Sequence, residues 1–205
     1  MAEHSTSQNE PYILYGDYLV LVGSQQKRQN DEITGVMSAT GFTDNRIFFQ
    51  NMPFHLLSLE KSQSEENLAL IRNYRDFVFQ IWPRLNYEAH KEYRRFLKDK
   101  SKYETVKEEY DHNLSKVQSR TQEEKSANES LIHSYRGITV SYGAEIQLMH
   151  VDSQLFIDGK VTTSESDKSA YKFELSNDFS SGMIFRILPK YQICQEGDPI
   201  HYEDE

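Results

Sequence analysis

The sequence predicts a mainly β fold, a barrel or sandwich of short strands interrupted by one inserted helical hairpin. Three observations carry this prediction. Short apolar runs rich in Tyr, Phe, Ile and Val recur in both halves and end at Gly, Pro, Asn or Asp. Between Asn86 and Ser130 there is neither Gly nor Pro. Within that stretch the apolar spacing changes from alternation to helical periodicity.

The elements follow in order. Residues 1–10 read as a disordered tail. The first strand is Tyr12 to Val22, with Gly16-Asp17 marking a bend or bulge. "GSQQKRQNDE" reads as a polar loop, "ITGVMSAT" as the second strand, "GFTDN" as a turn and "RIFFQ" as the third strand. Residues 54–73 form a polar excursion, a loop with a short helix. Tyr74 to Pro83 is β-branched and aromatic, a strand stopped by its proline.

The helical arm spans residues 86–132. Asn86 is placed to cap a helix starting at Tyr87. Ala89, Tyr93, Phe96 and Lys100 fall at helical spacing. After "KDKS" a second stripe runs Tyr103, Val106, Tyr110, Leu114 and Val117. Beyond Val117 the residues are polar, so the end of this helix is expected to be solvated or frayed. Two helices with so short a link form a hairpin. Strands return as "ITVSY", "AEIQLMH", "SQLFI", "KFEL" and "MIFRILPKYQI", with no strict repeat between the halves.

Composition narrows the function classes. The 205 residues carry a formal net charge of -9, which disfavours nucleic-acid binding by the chain as a whole. Arg84 to Lys102 is locally basic and Glu196 to Glu205 acidic. The single cysteine, Cys194, excludes an internal disulfide framework and a cysteine-built zinc site. "MAEHSTSQNEP" lacks the apolar centre of a secretory signal, and no run reaches roughly 18 apolar residues. A soluble segment without a membrane span is expected.

Catalytic signatures are missing. There is no phosphate-cradling glycine loop, no G-x-S-x-G and no H-E-x-x-H. Asp76, Glu145 and Asp152 show no acid–base spacing. Glu108 and His112, four apart beside Asp111, match two metal ligands or a solvated helix face. His150 shares the strand face of Ile146 and Leu148, and we expect its ring buried and donating to a backbone carbonyl. Cys194 is expected to be a buried or strand-end thiol. The helix "HKEYRRFLKDKSKY" suits a calmodulin-like or acidic partner, or else packs its apolar face inside the arm. Phe42, at the tip of its turn, suits a contact anchor or folds back over the barrel.

The order of the pieces resembles the N-terminal region of the inositol trisphosphate receptor and ryanodine receptor family. "GDYLVLV" is similar to the family's first strand, and "GVMSATGFTDNRIFFQ" to its strand–turn–strand. "YRDFVFQIWPRLNYEAHKEYRRF" resembles the strand, proline and arm helix. "GITVSYGAEIQLMHVDSQLFI" and "FRILPKYQICQEGDPI" resemble two later segments, so the likeness runs from residue 11 to 205.

This resemblance implies a β-trefoil with an inserted arm, incomplete at about eight of its twelve strands. It implies a non-enzymatic suppressor-type domain, without cofactor, preceding the inositol trisphosphate-binding core. Such a domain lowers ligand affinity and transmits gating in a homotetrameric calcium-release channel, on the cytosolic face of the endoplasmic reticulum or another calcium store. The residues matching family contacts are Thr40, Gly41, Phe42, Thr43, Asp44 and Arg46. Arg75 and Tyr191 match coupling positions. Thr40 stands where many relatives have Leu, Thr43 where they have Val, and Asp152 where a basic residue is usual. The alternative is a lumenal trefoil module like those of protein O-mannosyltransferases, binding sugar or protein.

Overall fold

The computed structural model describes residues 12–26, 32–41, 44–51, 74–99, 107–162 and 171–202. The expected tail (1–10), the excursion at 54–73, Phe42 and Thr43 lie outside the described residues.

The described chain is mainly β with two α-helices, and every strand pairing is antiparallel. The strands are β1 (Tyr18–Val20), β2 (Val22–Gln26), β3 (Glu32–Ser38), β4 (Phe48–Asn51), β5 (Val78–Pro83), β6 (Glu145–His150), β7 (Leu155–Val161), β8 (Tyr171–Ser176) and β9 (Phe185–Arg186). One sheet runs β1-β5-β6-β7-β8, with β9 also paired to β6; the other is β2-β3-β4. The hairpin is α1 (Glu88–Lys98) and α2 (Lys107–Tyr135), inserted between β5 and β6.

The core gathers Phe79 and Ile81 from β5, Ile146 and Leu148 from β6, Ile157 from β7 and Leu175 from β8. Strand β6 is buried on both faces. Ile146 and Leu148 point into this cluster, while Met149 joins Phe156 and Met183 in a second one against Trp82 and Phe179. A strand covered on both sides cannot alternate cleanly, and the polar Gln147 on it is only 1% exposed.

Several boundaries differ from the sequence expectation. The expected polar loop after Val22 begins as strand, because Gly23, Ser24, Gln25 and Gln26 pair with Gly35, Thr34, Ile33 and Glu32. Backbone pairing, indifferent to side-chain polarity, overrides composition there. Tyr74–Phe77 is a 3-10 turn rather than strand. "ITVSY" contributes only isolated bridges at Thr139 and Ser141, and the last expected strand shrinks to Phe185–Arg186.

The arm differs as well. Its second helix continues unbroken to Tyr135, past residue 132. Most polar residues beyond Val117 are exposed, as expected, but Thr121, Glu124 and Asn128 attach the arm. The Glu124 carboxylate accepts the Ala89 and His90 amides at 2.8 and 3.0 Å, capping the first turn of α1 from outside. The Asn128 side chain accepts from the Asn86 amide and donates to the Asn86 carbonyl. Asn86 Oδ1 only weakly meets the Glu88 amide, at 3.3 Å, and the N-cap position itself belongs to Tyr87.

A recurring backbone pattern joins the two halves. Ile13 N–H donates to Ile200 O, Ile200 N–H to Val140 O, and Val140 N–H to Ile13 O, closing a three-membered ring of bonds. Around it, Tyr15-Gly16 and Tyr142-Gly143 make matching bonds: Gly16 to Ile81 O and Gly143 to Ile187 O, Gly137 to Tyr15 O and Gly197 to Tyr142 O. Gly16 and Gly143 have φ of 96° and 85°, a region open to glycine without steric cost. The two Tyr-Gly turns therefore make matching backbone bonds, although the side chains around them scarcely repeat.

Candidate functional site

His150 ends β6 and is completely buried. Its ring lies 5.4 Å from that of Phe79, its pairing partner on β5. Ring Nε2 is 3.1 Å from the Arg75 carbonyl oxygen, and Nδ1 is 2.8 Å from the Ser153 hydroxyl. The expected backbone acceptor is thus Arg75 O. Burial holds the imidazole pKa below its usual value, partly opposed by the bond to Arg75 O and by Asp152 and Asp76.

Three loops meet over this histidine. The Tyr74–Phe77 turn supplies Arg75 O, and Asp76 O accepts the Ala39 amide at 2.9 Å, tying in the end of β3. The turn after β6 supplies Ser153, where Gln154 takes a left-handed φ of 58°. Gly41, with φ of 72°, sits so close to Ser153 that a β-carbon there would collide with it. Thr40, Gly41, Arg75 and Asp152 therefore share one corner of the molecule. An open groove of about 650 Å³ beside it is lined by Tyr18, Tyr74, Arg75, Val78, Val151 and Asp152.

Asp44 and Arg46 lie in the continuation of the same turn. Asp44 Oδ1 accepts the Arg46 backbone amide at 2.9 Å, and the guanidinium engages both carboxylate oxygens. This bidentate pair holds the Asp44 pKa below the usual carboxylate range. Arg46 also lies over the Phe48 ring and bridges to Glu174 of β8. The acid and the base of this turn are thus paired with each other.

Tyr191 is not in this corner. Its loop follows β9 and is anchored at both ends to the start of β6, through Gly143 to Ile187 and Gly197 to Tyr142. Gly143 and His150 are separated by the length of β6, roughly 20 Å. The Tyr191 ring is exposed, with the Lys190 ammonium 5.2 Å from its centroid. Cys194 is half-buried against the main core.

The basic helix α1 uses its apolar side within the molecule. Ala89 is buried, Phe96 stacks on Tyr110 of α2, and Arg94 pairs with Asp178. A calmodulin-like partner would compete with those contacts. His112 and Asp111 are exposed on α2, and no cluster of three potential metal ligands forms among the described residues. None of their helices is long and apolar enough to cross a membrane.

Sequence reasoning missed two groups. Gln147 accepts from the Leu85 amide and the Tyr87 hydroxyl, and Phe179 stacks on Tyr87 at 3.5 Å. Burial pushes the Tyr87 hydroxyl pKa up. A lone polar residue amid apolar ones in "AEIQLMH" was the available signal for Gln147; Phe179, in the loop "SNDFSSG", had none.

Residues 8–205 match the family model described as inositol 1,4,5-trisphosphate/ryanodine receptor. Over 177 residues the chain is 25% identical to a Caenorhabditis elegans protein, the inositol 1,4,5-trisphosphate receptor itr-1. That alignment covers 85% of this chain and 6% of the worm protein, so the chain spans a small fraction of its relative's length.

Proposed function

The chain belongs to the inositol 1,4,5-trisphosphate/ryanodine receptor family, and on that premise we propose that it is an N-terminal, non-enzymatic regulatory and coupling domain of a calcium-release channel. The match across residues 8–205 carries this reading and favours it over the lumenal sugar-binding alternative. In this role the domain modulates the ligand affinity of a downstream inositol trisphosphate-binding core. It passes the change to neighbouring subunits of a tetramer at a calcium-store membrane.

Such coupling needs contacts that differ in energy between channel states, and about 1–3 kcal/mol suffices. The corner suits that task. Thr40, Gly41, Asp44, Arg46 and Arg75 are presented on turns tied together underneath, so a push on one is felt by the others. Tyr191 offers a second contact at the other end of β6.

The proposal extends to a β-trefoil architecture. The ring of bonds among Ile13, Val140 and Ile200, with the matched Tyr-Gly turns, is what a threefold repeat would produce. In that arrangement Ile200 opens a third repeat.

Calorimetric titration of this chain into a ligand-binding core from the same receptor tests the function. We expect saturable binding, weakened at least tenfold by Arg75→Ala, or about 1.4 kcal/mol. Absence of binding, or equal binding by wild type, Arg75→Ala and Tyr191→Ala, would overturn the assignment of these contacts.

A further inference from the structure

His150 answers two demands at once. The Arg75 carbonyl can only accept, so Nε2 carries the proton. The Ser153 amide, 3.4 Å from Nδ1, can only donate, so Nδ1 keeps its lone pair and also receives the Ser153 hydroxyl. The surrounding backbone therefore selects a single neutral tautomer. Arg75 and Ser153 belong to the two turns that frame the groove, and Gly41 rests on Ser153.

We propose that His150 is the positioning residue of this corner and acts as a proton-operated catch. Neutral, it ties the Ser153 turn to the Arg75 turn. A solvent proton taken up on Nδ1 uses that lone pair. The Ser153 hydroxyl must then reverse and accept, and the Ser153 amide is left facing an N–H. The Ser153 amide is repelled while the reversed hydroxyl stays bonded, so the backbone of the turn shifts and the support under Gly41 loosens. No other bond is made or broken.

The Tyr74–Phe77 turn brings Arg75, whose side chain is exposed, and Asp76; the turn after β6 brings Asp152. Both carboxylates favour the cation, and burial opposes it more strongly. The end of β3 offers Ala39, Thr40 and Gly41, β5 offers Phe79, and β7 offers Leu155; none of these titrates. Because the folded pKa is depressed, the unfolded chain binds this proton more readily. The stabilisation is fully present above the ordinary histidine pKa, about 6.5, and is lost as pH falls through the folded value.

Long-range proton–nitrogen NMR on the labelled chain, with His150→Gln identifying the signal, reads the tautomer and the titration directly. We expect a proton on Nε2 at pH 7.5 and a single titration below the free-histidine value. Amide exchange at 75–77 and 151–154, corrected for its intrinsic pH dependence, should rise about tenfold through that titration while Ile81 and Ile157 hold. His150→Gln keeps a donor for Arg75 O and removes the titrating group, so its corner should show no acid step. Ser153→Ala removes the hydroxyl that, once reversed, accepts from the imidazolium in a charge-assisted bond, and should lower the titration midpoint, a readout that stands if the glutamine variant fails to fold. A proton on Nδ1 at pH 7.5, an acid step that survives in His150→Gln, or an unmoved or raised midpoint in Ser153→Ala would overturn the proposal. None of these measurements involves a partner, so their outcome is separate from that of the coupling assignment.

Discussion

The sheet body and the helical arm are held by different physics. In the body, Phe79, Ile81, Ile157 and Leu175 are each at most 1% exposed and belong to one core cluster drawn from three strands. In the arm, α2 is 29 residues long, about 43 Å, yet Val117 is its one described buried residue. Its hold on the rest is a short series of directional contacts: Glu124 on the α1 amides, Asn128 on Asn86, Thr121 Oγ1 donating toward the Ala89 carbonyl, and Arg120 on Glu92. Gln147 and the stacked rings of Tyr87 and Phe179 then fix the start of α1 to the sheet. Apolar burial is spread over many atoms and fails as a unit. Polar attachment is concentrated in a few bonds and can open locally.

This contrast can be broken most forcefully in the body. Ile157→Ala should cost about 2–5 kcal/mol, through lost burial and the cavity left behind. Urea unfolding followed by Trp82 fluorescence and by helical circular dichroism should shift together. A loss confined to the helical signal would mean that the core does not carry the arm.

Gln147→Leu should have the next largest effect, about 1–3 kcal/mol, because it leaves the buried Leu85 amide without its acceptor. Amide exchange should accelerate through 107–135 and stay slow in β7 and β8. Uniform acceleration everywhere would erase the distinction between the regions. Glu124→Ala is the mildest, about 1 kcal/mol, as for a lost helix cap. Exchange at Ala89 and His90 should rise, and Glu124→Gln, which keeps an acceptor oxygen, should recover part of the protection. Equal exchange in both variants would argue against capping by this side chain.

Much of the fold was legible because periodicity is local. The hairpin could be read from the helical spacing of Ala89, Phe96, Tyr110 and Val117, and β6 from the apolar residues around Gln147. The burial of His150 followed from the face it shares with Ile146 and Leu148. The Gly23–Gln26 strand was not legible, because polar side chains there mask a backbone pairing whose partner is remote. Nor was the end of the arm. Thr121, Glu124 and Asn128 look like a solvated surface until α1 is laid beside them.

The site divides in the same way. The turn from Thr40 to Arg46 stands out in the sequence by its turn residues, and Arg75 and Tyr191 by resemblance alone. That Arg75, Gly41 and Ser153 gather around His150, while Tyr191 sits at the far end of β6, required the chain to be folded.

By itself, the sequence determined the mainly β class with its helical insertion, the family to which the chain belongs, and the residues able to fill a core. These depend on side-chain pattern over a few neighbouring positions. Tertiary structure alone decided which polar groups are bonded, which histidine tautomer is held, and which of the matched residues share a corner. Those depend on backbone donors and acceptors brought together from distant positions, and a carbonyl or an amide has no letter in the sequence.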